Sequence, residues 1–210
     1  MKMKGLFSVK YACMALMMML ATTAFAQSDA QARKVLDKTA ALIGRKGGAS
    51  ANFSISGAKI GATSGTIAIK GNKFHATTPQ ATVWYDGKTQ WSYMKKTNEV
   101  NVTTPTLAKQ TTMNPLTFIN MYKKGYNLGM KTIGTNYQVH LTASTPAKQS
   151  IKELYIMINK SSYAPTEVKM KQASGWTTIK ISNFKAKNQP NGTFVFRAKD
   201  FPTAEVIDLR

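Results

Sequence analysis

Nine acidic residues are the only carboxylates available for acid–base chemistry: Asp29, Asp37, Asp86, Glu99, Glu153, Glu167, Asp200, Glu205 and Asp208. General acid–base catalysis needs groups held within reach of one reacting bond, and none of these falls in a pair spaced for that work. His75 and His140 stand alone, with no His-Glu-x-x-His run and no carboxylate–histidine cluster. Each reads as a polar residue on a strand face. Gly87-Lys88-Thr89 has the ending of a phosphate loop, but that loop needs a glycine five residues earlier, where Thr82 stands. A Gly-x-Ser-x-Gly nucleophile motif is also missing. The residue types point away from catalysis, and they suggest neither a metal nor a cofactor.

The elements that would position such residues tell more. Lys2, Lys4 and Lys10 precede an apolar run from Tyr11 to Thr23, and Ala24-Phe25-Ala26 follows. This is the three-zone pattern of a secretory signal peptide, with cleavage expected after Ala26. The run is shorter than the roughly 20 residues a membrane-spanning helix needs. Cys13, the only cysteine, lies inside the leader and is lost with it. The mature chain then has no disulfide and no thiolate metal site, which together with the leader suits a bacterial periplasm or secretion. Removing three lysines from 29 basic residues leaves 26 against nine acids, a net charge of +17. Such a charge speaks to partners, not to fold. No nucleic-acid module is recognisable and the lysines are scattered, so acidic protein surfaces and anionic lipids are the expected partners. Residues 27–210 are read as one domain.

Residues 29–43 predict an amphipathic helix, capped by Ser28 or Asp29, with Ala32, Val35, Leu36, Thr39, Leu42 and Ile43 on one face. Gly44, Gly47 and Gly48 end it. Thereafter the period is two. Phe53 and Ile55, Ile67 and Ile69, and the run starting at Phe74 each alternate with polar or small residues. Val83 and Tyr85 lead to Asp86-Gly87, a hairpin signal, and Trp91 and Tyr93 return on one face. Further strands are expected at 98–102, 126–132, 136–143, 150–159, 165–172, 176–184 and 193–197. About ten short antiparallel strands imply a barrel or a strongly curled sheet. Between them, Asn114-Pro115 opens a short helix carrying Leu116, Phe118, Ile119, Met121 and Tyr122 and ending at Gly125. An apolar helix inserted between strands has to cover something apolar, and the open mouth of the sheet is the natural candidate.

The block Val83-Trp84-Tyr85-Asp86-Gly87-Lys88-Thr89-Gln90-Trp91-Ser92-Tyr93 resembles the hallmark stretch of the LolA-type outer-membrane lipoprotein carriers. The leader, the N-terminal helix, the Asn-Pro helix, the late Phe-Val-Phe segment and the closing Phe201 to Asp208 agree with that family in order. The resemblance implies an incomplete, half-open antiparallel β-barrel covered by helices. It also implies a monomeric periplasmic carrier that receives acylated lipoproteins from an inner-membrane ABC transporter and delivers them to an outer-membrane acceptor. An acyl chain cannot cross water exposed, because each buried methylene is worth about 0.8 kcal/mol. The expected cavity wall comprises Phe53, Ile55, Ile67, Ile69, Phe74, Trp91 and Tyr93, with Phe118, Ile119 and Met121 on the lid. Core packing explains any one of these as well as ligand contact does, and one of the sets Trp84 or Val83/Tyr85 must face away. Family carriers hold the lid with an arginine four residues before a phenylalanine. Phe74 matches the phenylalanine, while Lys70 stands in the arginine's place without its planar fork of donors. Two other functions fit the same architecture: a lipid-sensing regulatory module, and a carrier of another lipid or glycolipid.

Overall fold

A computed structural model describes residues 28–57, 61–106 and 120–210. The leader (1–26) lies outside these residues, as do Phe118 and Ile119.

Helix α1 covers residues 28–43. Its apolar stripe is the buried one: Ala32, Val35, Leu36 and Ile43 are buried, and Thr39 joins them by donating its hydroxyl to the Val35 carbonyl at 3.1 Å. Ser28 is already helical, and its Oγ accepts the Met130 amide at 3.2 Å, tying the helix start to a strand. After the helix the chain turns through Gly48 at φ +85°, where a Cβ would stand 2.2 Å from the Ile69 carbonyl oxygen. Only glycine fits both the angle and the space.

Twelve strands follow: β1 (Ala49–Gly57), β2 (Gly61–Lys70), β3 (Lys73–Thr77), β4 (Ala81–Tyr85), β5 (Gln90–Met94), β6 (Glu99–Thr103), β7 (Tyr126–Ile133), β8 (Asn136–Ala143), β9 (Glu153–Asn159), β10 (Pro165–Gln172), β11 (Gly175–Lys185) and β12 (Glu205–Asp208). They form one sheet in the order β12-β6-β5-β4-β3-β2-β1-β11-β10-β9-β8-β7. Two sequential meanders, β1–β6 and β7–β11, are thus joined through an antiparallel β1–β11 pairing. Every pairing is antiparallel except β12 on β6. The sheet has free edges at β7 and β12, so it does not close. It is a half-open barrel wall, as the alternating pattern suggested.

The Asp86-Gly87 signal does form a hairpin, with a four-residue loop: Tyr85 pairs with Gln90, and Asp86 Oδ1 accepts the Lys88 and Thr89 amides at 2.8 Å each. One expected strand is absent. At 193–197 the chain instead makes a 3₁₀ turn, Asn191–Phe194, and continues outside any strand. Pro190 stands just before the turn and Asn191-Gly192 open it, where a ladder would need donors and extended backbone. The apolar-x-apolar rhythm there has another origin: Phe194 is fully buried, and Phe196 packs on Trp84 and Phe201 at ring distances of 5.5 and 5.4 Å. The strand β12 comes later, from the closing segment.

The core lies on the concave face beside α1. Val139, Leu141, Leu154, Ile156 and Ile158 from β8 and β9 meet Ala32, Val35 and Leu36 there. The mid-chain insertion enters the described residues at its C-terminal end, where a 3₁₀ turn, Met121–Lys123, buries Tyr122. Tyr122 donates its hydroxyl to the Asp37 carboxylate, and its carbonyl accepts Arg33 Nη1 at 3.3 Å. Burial, followed by the Asp37 bond and charge, pushes the Tyr122 hydroxyl up to about 12.

Candidate functional site

Strand alternation assigns every second residue to the concave face. On β1 these are Ala51, Phe53 and Ile55; on β2 Ile67 and Ile69; on β3 Phe74 and Ala76; on β4 Val83. The register carries the row across the seam, since Phe53 pairs with Ile181 and Ile55 with Ile179, and Ile179 pairs in turn with Val168. These side chains surround an apolar cavity of about 540 Å³, completed by Ile43, Leu154, Ile156, Pro165, Met170 and Phe184. Because β4 and β9 both contribute although five strands lie between them in the sheet, the sheet must curl around the space.

The cavity has two unlike ends. Ile43, Ile69 and Phe74 lie at one end, which is wholly apolar among the described residues, and are buried, as are Met170 and Thr177 toward the other. At the other end Ile55 is half-buried and the lining turns polar with Gln172 and the buried Thr177. Among the described residues Asn52 is the third polar one in the lining, and none of them is charged. Opposite Phe53, Gly65 leaves the room the wall needs: a Cβ there would stand 1.9 Å from the Thr77 carbonyl oxygen and 3.1 Å from the Phe53 ring.

Five of the seven expected wall residues, Phe53, Ile55, Ile67, Ile69 and Phe74, line this cavity. Trp91 and Tyr93 do not. Trp91 pairs with Trp84 across β4–β5, while the concave Val83 pairs with Ser92, so both aromatics sit on the convex face. There Tyr93 packs on Phe201 at 4.7 Å and Trp84 on Phe196 and Phe201. The C-terminal segment crosses this outer face. Lys70 belongs to it too: its ammonium donates to the Gln189 carbonyl at 2.9 Å, and Gln189 is anchored by its own amide to the Gly47 carbonyl at 2.8 Å. Alternation with Ile69 turns Lys70 away from the cavity, so it fastens the crossing segment and not a cover on the concave side. Of the expected lid residues only Met121 is described; it is half-buried and packs against the core beside α1, outside the cavity lining.

Sequence reasoning placed the wall in the N-terminal half alone. The lining residues of β9, β10 and β11 carry the same alternation, at Leu154 and Ile156, Val168 and Met170, and Ile179 and Ile181. That signal was present; what it lacked was the β1–β11 pairing that folds the second half over the first.

The titratable groups lie elsewhere. His75 stacks on Trp84 on the convex face, and burial lowers its pKa. His140 stacks on Tyr155 at 4.2 Å, 3.6 Å from Glu153; a hydrogen bond from Lys171 holds that carboxylate below the usual range. Among the described residues no group of three or more His, Cys, Asp or Glu could hold a metal, and no helix is long and apolar enough to cross a membrane. What the arrangement offers is a hollow lined, among the described residues, mostly by apolar side chains, one that can take hydrocarbon.

The family described as outer membrane lipoprotein carrier protein LolA matches residues 22–174. No curated protein matches the chain. Among solved structures, an uncharacterised conserved protein from Thermus thermophilus is similar at a TM-score of 0.56 and 12% identity, over 85% of this chain and 99% of that one. A LolA superfamily protein from Nitrosomonas europaea is similar at TM-score 0.42 and 12% identity, over 79% and 97% of the two chains. The lipoprotein LppX of Mycobacterium tuberculosis is similar at TM-score 0.42 and 15% identity, over 79% and 97%. At these identities the Thermus protein shows a shared fold and nothing finer.

Proposed function

The chain belongs to the LolA family of outer membrane lipoprotein carrier proteins, and on that premise we propose that it is a non-enzymatic periplasmic carrier. It takes the acyl chains of lipoproteins into the cavity under its sheet and moves them from the inner to the outer membrane. The observation that supports this is the cavity itself: about 540 Å³ walled mainly by aliphatic and aromatic side chains, with no charge among the described lining residues. Each methylene moved from water into such a space gains about 0.8 kcal/mol, and nothing on the wall reads a sequence or a head group. In this reading residues 1–26 direct export and are removed, and residues 27–210 act as one monomeric domain. The insertion carrying Phe118 and Ile119 is the cover of the mouth.

An inner-membrane ABC transporter supplies the cargo and an outer-membrane acceptor receives it. The positive charge speeds encounter with acidic docking surfaces, so raised salt slows partner association. The deciding experiment adds the purified protein to spheroplasts that display a lipidated cargo on their inner membrane. Release of the cargo into the soluble fraction, bound to the protein, is the expected outcome; retention of the cargo would overturn the reading. Mass spectrometry of ligands extracted from natively purified protein separates lipoprotein cargo from another lipid or glycolipid.

A further inference from the structure

We propose that the end of the sheet where β1 begins and β11 finishes is a docking surface for an anionic bilayer, held by charge and without insertion. Four segments meet there: the α1–β1 loop (44–48), the β2–β3 turn with its flanking lysines (70–73), the β4–β5 loop (86–89) and the end of β11 with the chain beyond it (185–189). Direct contacts join them. Arg45 donates to the Ala186 carbonyl, and the Gln189 amide donates to the Gly47 carbonyl at 2.8 Å. Lys70 reaches the Gln189 carbonyl at 2.9 Å, and Asn72 Nδ2 reaches the Gly87 carbonyl at 3.4 Å.

This end is almost purely cationic. Arg45 and Lys46 stand on the first segment, Lys70 and Lys73 on the second, Lys88 on the third, and Lys185 and Lys187 on the fourth. Asp86 is the single acid, and its Oδ1 already accepts the Lys88 and Thr89 amides. Every ion pair among the described residues lies elsewhere. Lys70 and Lys73 even stand directly opposite each other across β2–β3, where like charges destabilise a sheet. An anionic surface relieves that repulsion. A protein partner would gather its affinity at a desolvated apolar centre, and none of the described exposed large apolar side chains belongs to these segments. A charged bilayer asks only for cations near its headgroups. The exposed aromatic that could otherwise anchor the molecule, Trp176, lies nine residues up β11 from Lys185, roughly 30 Å away.

The test measures binding of the purified exported protein to vesicles of about 30% phosphatidylglycerol in phosphatidylcholine and of phosphatidylcholine alone. It needs no acyl cargo, so its failure leaves the carrier reading standing. The anionic vesicles should bind and the neutral ones should not. Raising the salt from about 0.1 M to about 1 M shortens the screening length from about 10 Å to about 3 Å and should release the protein. Each basic residue at such a surface strengthens binding about fivefold, the equivalent of about 1 kcal/mol. Lys46→Gln, Lys88→Gln, Lys185→Gln and Lys187→Gln together, all at exposed positions, should therefore weaken binding at least about 50-fold. The same change at the exposed Lys96, Lys123, Lys124 and Lys148, toward the opposite end, removes equal charge and should weaken it no more than about fivefold. Should the first variant not fold, Lys46→Gln with Lys187→Gln serves, with a loss of at least about tenfold. Trp176→Ala should leave binding within about twofold. Equal losses in the two fourfold variants would overturn the inference, as would a loss of about tenfold or more in Trp176→Ala. So would a first variant that keeps its vesicles but loses binding to poly-L-glutamate, which would assign the end to an acidic protein instead.

Discussion

The concave face has two halves built from the same kind of strand. Under α1, Val139, Leu141 and Ile158 of β8 and β9 are wholly buried. On either side of the β1–β11 seam, Ile55, Ile67 and Ile179 of β1, β2 and β11 point to the same side and are only half-buried. Nothing in the strands themselves distinguishes the two: each alternates an aliphatic with a small or polar residue. The difference is the helix. A helix with its side chains is about 10 Å across, enough to cover two or three strands spaced about 4.8 Å apart, and this sheet has twelve. Among the described residues α1 is the one long helix, and the half it lies over is the half that becomes core.

The strongest way to break that comparison is to truncate equivalent side chains in each half. Leu36→Ala, on the filled side, should cost about 2–5 kcal/mol of stability in denaturant unfolding. Ile179→Ala, on the hollow side, should cost about 1 kcal/mol, because its methyl groups already face empty space. Equal losses would show that both halves are packed alike. Next in size, Ile67→Trp should fill part of the hollow. Binding of an acyl probe should weaken at least about tenfold, while stability changes by no more than about 1 kcal/mol, since overpacking is penalised only where no void exists.

The tether of α1 sharpens the comparison through pH. An unfolded tyrosine ionises near 10, whereas Tyr122 in the fold holds its proton up to about 12. Between those values the unfolded chain has lost a proton the folded chain still keeps. This contribution to stability is therefore complete below pH 10 and declines as the pH rises toward 12. Tyr85 and Tyr126 are raised by burial in the same direction, so Tyr122→Phe should make the alkaline decline of the melting temperature shallower without abolishing it. An unchanged slope would mean that burial and the Asp37 bond do not hold the Tyr122 proton in the fold. The smallest effect tests the convex face. Tyr93→Phe keeps the ring against Phe201 and removes only the hydroxyl's 3.0 Å bond to Asn98. It should cost about 1 kcal/mol and leave acyl affinity within about twofold; a larger loss of binding would return Tyr93 to the cavity wall.

The period of two, the Asp86 hairpin and the buried stripe of α1 were legible because each is set by neighbours in sequence. The face chosen by Trp91 and Tyr93 was not. Large aromatics suit a lipid cavity and a crossing segment equally, and only the register opposite Val83 and Trp84 decides between them. Phe194 and Phe196 misled for a related reason: they alternate like a strand, yet the turn after Pro190 buries the first and stacks the second on Trp84 with no ladder at all. Lys70 looked like a clasp by its distance from Phe74, but the carbonyl it reaches lies 119 residues away in the chain. That distance is invisible to any local pattern.

The β1–β11 seam sets how the molecule assembles. Every other antiparallel pair joins strands adjacent in sequence, whereas this one brings Gly57 beside Thr177 and Ser50 beside Lys185. Two ribbons can therefore each grow by local zipping, and only their joining requires closing a very long loop, the slow and entropically expensive event. The hollow straddles that join, with Phe53 and Ile55 on one ribbon and Ile179 and Ile181 on the other. The molecule has no container until that long-range pairing exists, so two ribbons that have formed but not joined enclose no hollow between them.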